Sequence, residues 1–112
     1  MFKIFKITLN RVRDRIVIRE GDDELPLTVD SDARTIMARL QKANKALSQI
    51  NDDVTDEQRY NAAYGLAEAI FGKEQADKLM AFYNDDPRCV VTVCGIYFEK
   101  RLGKKITAAQ KR

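Results

Sequence analysis

The chain has no histidine and no tryptophan, and only two cysteines, two prolines and five glycines among its 112 residues. Each shortage removes a class of chemistry. Without histidine the commonest general base is missing, and no Cys/His zinc site can be completed within one copy. The glycines stand alone at 21, 65, 72, 95 and 103, so there is no phosphate-cradling loop. No apolar run approaches the roughly 20 residues needed to span a bilayer. The start, Met1-Phe2-Lys3-Ile4-Phe5-Lys6, alternates charge with bulk and lacks a signal peptide's apolar stretch. The expectation is a chain that works in the cytoplasm where it is made, away from membranes.

The two cysteines sit in Arg88-Cys89-Val90-Val91-Thr92-Val93-Cys94-Gly95-Ile96-Tyr97-Phe98. A spacing of five rotates their thiols about 140° apart on a helix, and sets them on opposite faces of a strand. The CxxC redox spacing is absent. They read as small buried hydrophobes, so neither a metal nor an intramolecular disulfide is expected. The acidic pairs Asp22-Asp23, Asp52-Asp53 and Asp85-Asp86 fall in turns, where aspartate serves as a cap. No cofactor and no catalytic residue is assigned, and the chain is expected not to be an enzyme.

What remains is one soluble-type domain. Its net charge of +3 is unevenly spread. Lys100, Arg101, Lys104, Lys105, Lys111 and Arg112 crowd the C-terminus, and Arg11, Arg13, Arg15 and Arg19 form a second basic cluster diluted by Asp14 and Glu20. Acids gather at 22–24 and 52–57, and a chain polarised in this way favours head-to-tail association, or contact of its basic clusters with an acidic partner. Residues 104–112 lack a strong apolar stripe and are expected to be a basic, mobile tail after a single domain over 1–103.

Periodicity predicts an α+β fold: an N-terminal antiparallel hairpin or three-stranded meander followed by about four helices. Phe2–Leu9 alternates with a phase change at Ile4-Phe5. Ile16–Glu20 and Glu24–Val29 read as a hairpin around Gly21-Asp22-Asp23, with Pro26 forcing an edge strand. The period then turns helical. Ala33, Ile36, Leu40, Ala43, Leu47 and Ile50 form a narrow seam behind the capping residues Asp30, Ser31 and Asp32. Thr55 and Gln58 have capping-box spacing, opening a helix with Tyr60, Ala63, Tyr64, Ala67 and Ile70 on one face and Gly72 as its stop. A shorter helix runs from Lys73 to about Tyr83. Asp86 and Pro87 then open a segment whose Val-rich centre favours a strand but whose length and spacing favour a helix. Gly95 in its middle is expected to admit the close approach of something bulky.

Two helix-spaced apolar faces thus stand out, one with Ile36, Leu40 and Leu47, the other with Val90, Val93, Cys94, Tyr97 and Phe98. They are candidates for partner binding or self-association, flanked by the basic Lys100, Arg101, Lys104 and Lys105.

The run Phe82-Tyr83-Asn84-Asp85-Asp86-Pro87, the stretch Cys94-Gly95-Ile96-Tyr97-Phe98-Glu99-Lys100-Arg101 and the ending Lys104-Lys105-Ile106-Thr107 resemble tail assembly chaperones of long-tailed bacteriophages and prophages of Gram-positive bacteria. The resemblance spans roughly residues 70–110. It implies a largely helical, non-enzymatic homo-oligomer that coats the tape-measure protein until tail-tube subunits, the major tail protein, replace it. It also implies a longer frameshifted product from the same start. Two other classes fit the residues: a small phage nucleic-acid-binding or regulatory protein, in which the basic clusters meet phosphates, and a structural tail or connector subunit.

Overall fold

The structure is a computed structural model that describes residues 10–110. An antiparallel hairpin, β1 (Arg11–Glu20) and β2 (Asp23–Asp32), leads into α1 (Ala33–Ser48), α2 (Asp56–Phe71), α3 (Lys73–Phe82) and α4 (Pro87–Tyr97). A π-helical turn (Phe98–Leu102) then passes into α5 (Gly103–Gln110). The fold is α+β. A third strand over Phe2–Leu9 would lie outside the described residues.

The hairpin closes through Gly21 and Asp22, with Glu20 paired to Asp23. Gly21 has φ 61° and Asp22 keeps a negative φ, the pattern of a type II′ turn that matches strand twist. Register sets Ile16 opposite Leu27 and Ile18 opposite Leu25. The face carrying Val12, Leu27 and Val29 is buried, and the opposite face carries the arginines. There Arg11 and Arg13 both reach Asp30, and Arg19 reaches Glu24 at 3.2 Å. The strands extend to Arg11 and Asp32, beyond the sequence expectation, because the Val12 parity continues and these cross-strand pairs replace an apolar signal.

The helix boundaries follow their caps. Asp32 accepts the Arg34 N–H at 2.8 Å, and Asp86 accepts the Arg88 N–H at 3.0 Å with Pro87 in the first turn. Thr55 and Gln58 complete a reciprocal capping box, at 3.1 and 2.8 Å. The cysteine segment is therefore helical: the Asp-Pro start overrides its Val content. Asn84 and Asp85 take left-handed φ of 54° and 62° and end α3.

At the centre lies α2, which buries Ala62, Ala63, Leu66, Ala67, Ala69, Ile70 and Phe71. Burial that wide is what a helix flanked on several sides requires, and its alanines allow close approach. On it pack α1, α3 and α4. Phe71 stacks on Tyr97 of α4 with ring centroids 5.7 Å apart.

The C-terminal expectation needs correction. Residues 104–110 belong to α5, not to a mobile tail, and Ile106 and Ala109 are buried against α1 and β1. Leu102, Ile106 and Ala109, at steps of four and three, continue the apolar stripe of the preceding helix. With only one large residue in the last eight, that stripe is faint in sequence. The π turn widens the helix where Phe98 lies against Gly103. A Cβ at 103 would stand 3.2 Å from the Phe98 carbonyl oxygen and 3.3 Å from its ring, so only glycine fits without displacement.

Candidate interaction surface

The two apolar faces expected to meet partners are both turned largely onto α2. Ile36, Leu40, Val90, Cys94 and Tyr97 are buried in this chain's own core, so a single folded copy offers little of their surface. Leu47 and Val93 are half-buried, and Phe98 is 40% exposed. The physical reason is that α2 buries most of its surface from Ala62 to Phe71, and needs a stripe from each neighbour to cover it.

Because α1 and α4 flank α2, a groove of about 410 Å³ is left between them. Its floor is Leu40, Leu66, Ile70 and Cys94, and its walls are the half-buried Met37, Leu47 and Val91. Phe98 and Gly95 stand at its exposed rim beside Gln41, Asn44 and Glu99. Leu40, Leu47, Cys94 and Phe98 from the two predicted faces thus converge on one concavity. A second hollow of about 830 Å³, lined by Ile50 and Pro87 but also by the charged Asp56, Arg59, Asp86 and Arg88, shares Leu47 and Val91 with it. Together they follow the length of α4, about 16 Å for its 11 residues. Met37, Leu66 and Val91 were not singled out in sequence. The signal for Leu66 lay in its i, i+4 spacing to Ile70.

Gly95 meets nothing within 4 Å of an added Cβ. The close approach expected there is not made among the described residues.

Cys94 is enclosed, and burial pushes its thiol up to about 12. Cys89, toward the N-terminus of α4, donates to Asp86 Oδ2 at 3.6 Å, and desolvation also raises its thiol. Neither is poised as a thiolate nucleophile. Among the described residues no group of three or more His, Cys, Asp or Glu converges to hold a metal ion.

The basic residues divide. Lys100 and Lys104 are exposed. Arg101 instead makes a two-point contact with Asp14, from Nε at 2.9 Å and from a terminal nitrogen at 2.6 Å. Lys105 stands 4.0 Å from the same carboxylate, and the Tyr97 hydroxyl donates to it at 2.9 Å. Asp14 is on the inward face of β1 with its side chain only 4% exposed. The Arg101 hydrogen bonds outweigh desolvation and hold its carboxyl down to about 2. Burial and the bond to Asp14 push the Tyr97 hydroxyl well above its usual range. This buried clamp joins the hairpin to the C-terminal helices. Its sequence signal was an acid at an inward parity position of an arginine-rich strand.

No protein-family model, no curated protein and no solved structure matches this chain. No helix of the described residues is long and apolar enough to cross a membrane.

Proposed function

We propose that the chain is a tail assembly chaperone of a long-tailed phage or prophage, acting in the host cytoplasm without catalysis. It self-associates and shields apolar helices of the tape-measure protein until the tail tube forms around it. The observation that carries the reading is the groove between α1 and α4. It has an apolar floor, polar rim and helix-like length, which suit the apolar face of an amphipathic helix with anchors at i, i+3, i+4 and i+7. Exchangeable shielding needs such contacts and no reactive group, and both thiols are held protonated.

The nucleic-acid reading is less well supported. Arg11, Arg13, Arg19 and Arg101 are engaged by carboxylates of this chain, which reduces the charge left for phosphates. Co-expression with the tape-measure protein tests the proposal: the chain should keep that partner in the soluble fraction. Tight, salt-sensitive binding to DNA or RNA with no effect on tape-measure solubility would replace it with the rival reading.

A further inference from the structure

We propose that the edge of β1 left unpaired among the described residues is a second docking site, taking an extended segment of another protein that alternates acidic with apolar residues. This site shares no lining residue with the α1–α4 groove itself, meets the second hollow at Asp86, Arg88 and Thr92, and does not depend on the chaperone reading.

The two edges of the hairpin are built differently. On β2, Pro26 has no N–H to offer, and Gln75 of α3 spans the next outward position. Its amide accepts the Thr28 N–H and donates to the Thr28 carbonyl, both at 2.7 Å. Those two groups point away from β1, so in an antiparallel ladder the facing residue, Arg15, also points its backbone outward. The alternation carries the same direction to Val17 and Arg19. Asp14 takes up the Arg15 N–H at 2.9 Å. The N–H and C=O groups of Val17 and Arg19 have no hydrogen-bond partner among the described residues. One edge is capped, and the other has no pairing partner among the described residues.

The open edge borders a groove of about 800 Å³ whose far wall is α4. Val93 and Ile96 face this space, Ile96 being 49% exposed, and Val17 on the strand is 53% exposed. A strand laid along Val17 and Arg19 would send alternate side chains toward α4, where apolar ones are favoured. The others would stand beside Arg15 and Arg19; Arg19 is already paired with Glu24, so Arg15 is the charge that favours an acidic neighbour through cross-strand pairing. Arg15 on the strand and Lys100 on the groove wall have no ion pair among the described residues. Charge also selects against other occupants. Pairing the β1 edges of two copies antiparallel would set arginine against arginine. This chain's own residues 1–9 contain Lys3 and Lys6 and no acid.

The test uses the full chain and two labelled peptides, a Glu-Val alternation of eight residues and its Lys-Val counterpart. Fluorescence anisotropy at low salt should show the Glu peptide binding at least about tenfold more tightly. Amide shifts should centre on Val17 and Arg19. Arg15→Glu, a change on an exposed face, should reverse the preference. Val17→Pro, at a position whose N–H is outward, should abolish binding while the fold persists by circular dichroism. Equal affinity for both peptides, or binding of neither at millimolar concentration, would overturn the proposal. So would concentration-dependent dimerisation through the same amides, which assigns the edge to a second copy. Slow exchange of the Val17 and Arg19 amides in the peptide-free chain would assign it to the chain's own N-terminal residues and overturn the proposal too.

Discussion

Replacing Asp14 by Asn should loosen the hairpin from the C-terminal helices without leaving a buried charge behind. Asp14 is the shared acceptor for Tyr97, Arg101 and Lys105, and its side chain is almost wholly enclosed. Arg101 is half exposed, so once released it can turn to water. Holding the carboxyl at about 2, against its ordinary 3.8, corresponds to at most about 2 kcal/mol of folding stability at neutral pH, because solvent screens the half-exposed Arg101. The retained Asn carbonyl can still accept from Tyr97. The loss should therefore stay at about 1–2 kcal/mol, below the roughly 3–5 typical of stranding a buried ion. Because the folded carboxyl is the stronger acid, its contribution is present above the unfolded pKa and disappears as pH falls from about 4 toward 2. Urea unfolding followed by circular dichroism at pH 7 and at steps down to about pH 3 measures this. The gap between wild type and Asp14→Asn should be largest at neutral pH and narrow on acidification. A variant within about 0.5 kcal/mol of wild type at pH 7 would refute the reasoning, as would a gap independent of pH.

Three further outcomes follow from the packing. Ile106→Ala should cost about 2–4 kcal/mol by chemical denaturation, the range for emptying a buried aliphatic site; no change would return residues 104–110 to the status of a tail. Gly95→Ala should stabilise the free chain by up to about 1 kcal/mol, since the position is helical and an added Cβ meets nothing within 4 Å. A measured loss there would mean that something already packs against it. Gln75→Ala should cost about 1–2 kcal/mol and raise aggregation measured by light scattering, because the Thr28 edge of β2 loses its cover; unchanged scattering would argue that Pro26 alone protects that edge.

Much of the fold was legible because local signals agreed with one another. The Thr55/Gln58 box, the Asp86-Pro87 start, the glycine turn at 21 and the Ala33–Leu47 spacing each specify a boundary or a face by chemistry acting within a few residues. The interaction surface was harder to read for a corresponding reason. Periodicity shows that Ile36, Leu40, Val90 and Cys94 turn toward an apolar neighbour, but not that the neighbour is α2 of the same chain. That depends on how many stripes α2 can accept, and its alanine-rich face hides this number in sequence. The groove itself arises between helices distant along the chain, so it exists only at the tertiary level. The Asp14 clamp joins residues 83 to 91 positions apart, beyond the reach of any local pattern.

The central claim is that the α1–α4 groove, with Phe98 on its rim, is the surface that protects a helical partner. Phe98→Asp tests it most directly, because the side chain is 40% exposed and the substitution can be made without emptying the core. The tape-measure protein would be co-expressed with wild type or with the variant, and its soluble fraction measured after the variant's fold and stability are confirmed by circular dichroism. The account predicts that folded Phe98→Asp fails to keep the partner soluble, since a carboxylate would be driven into an apolar contact. A folded Phe98→Asp chain that protects as well as wild type would contradict it.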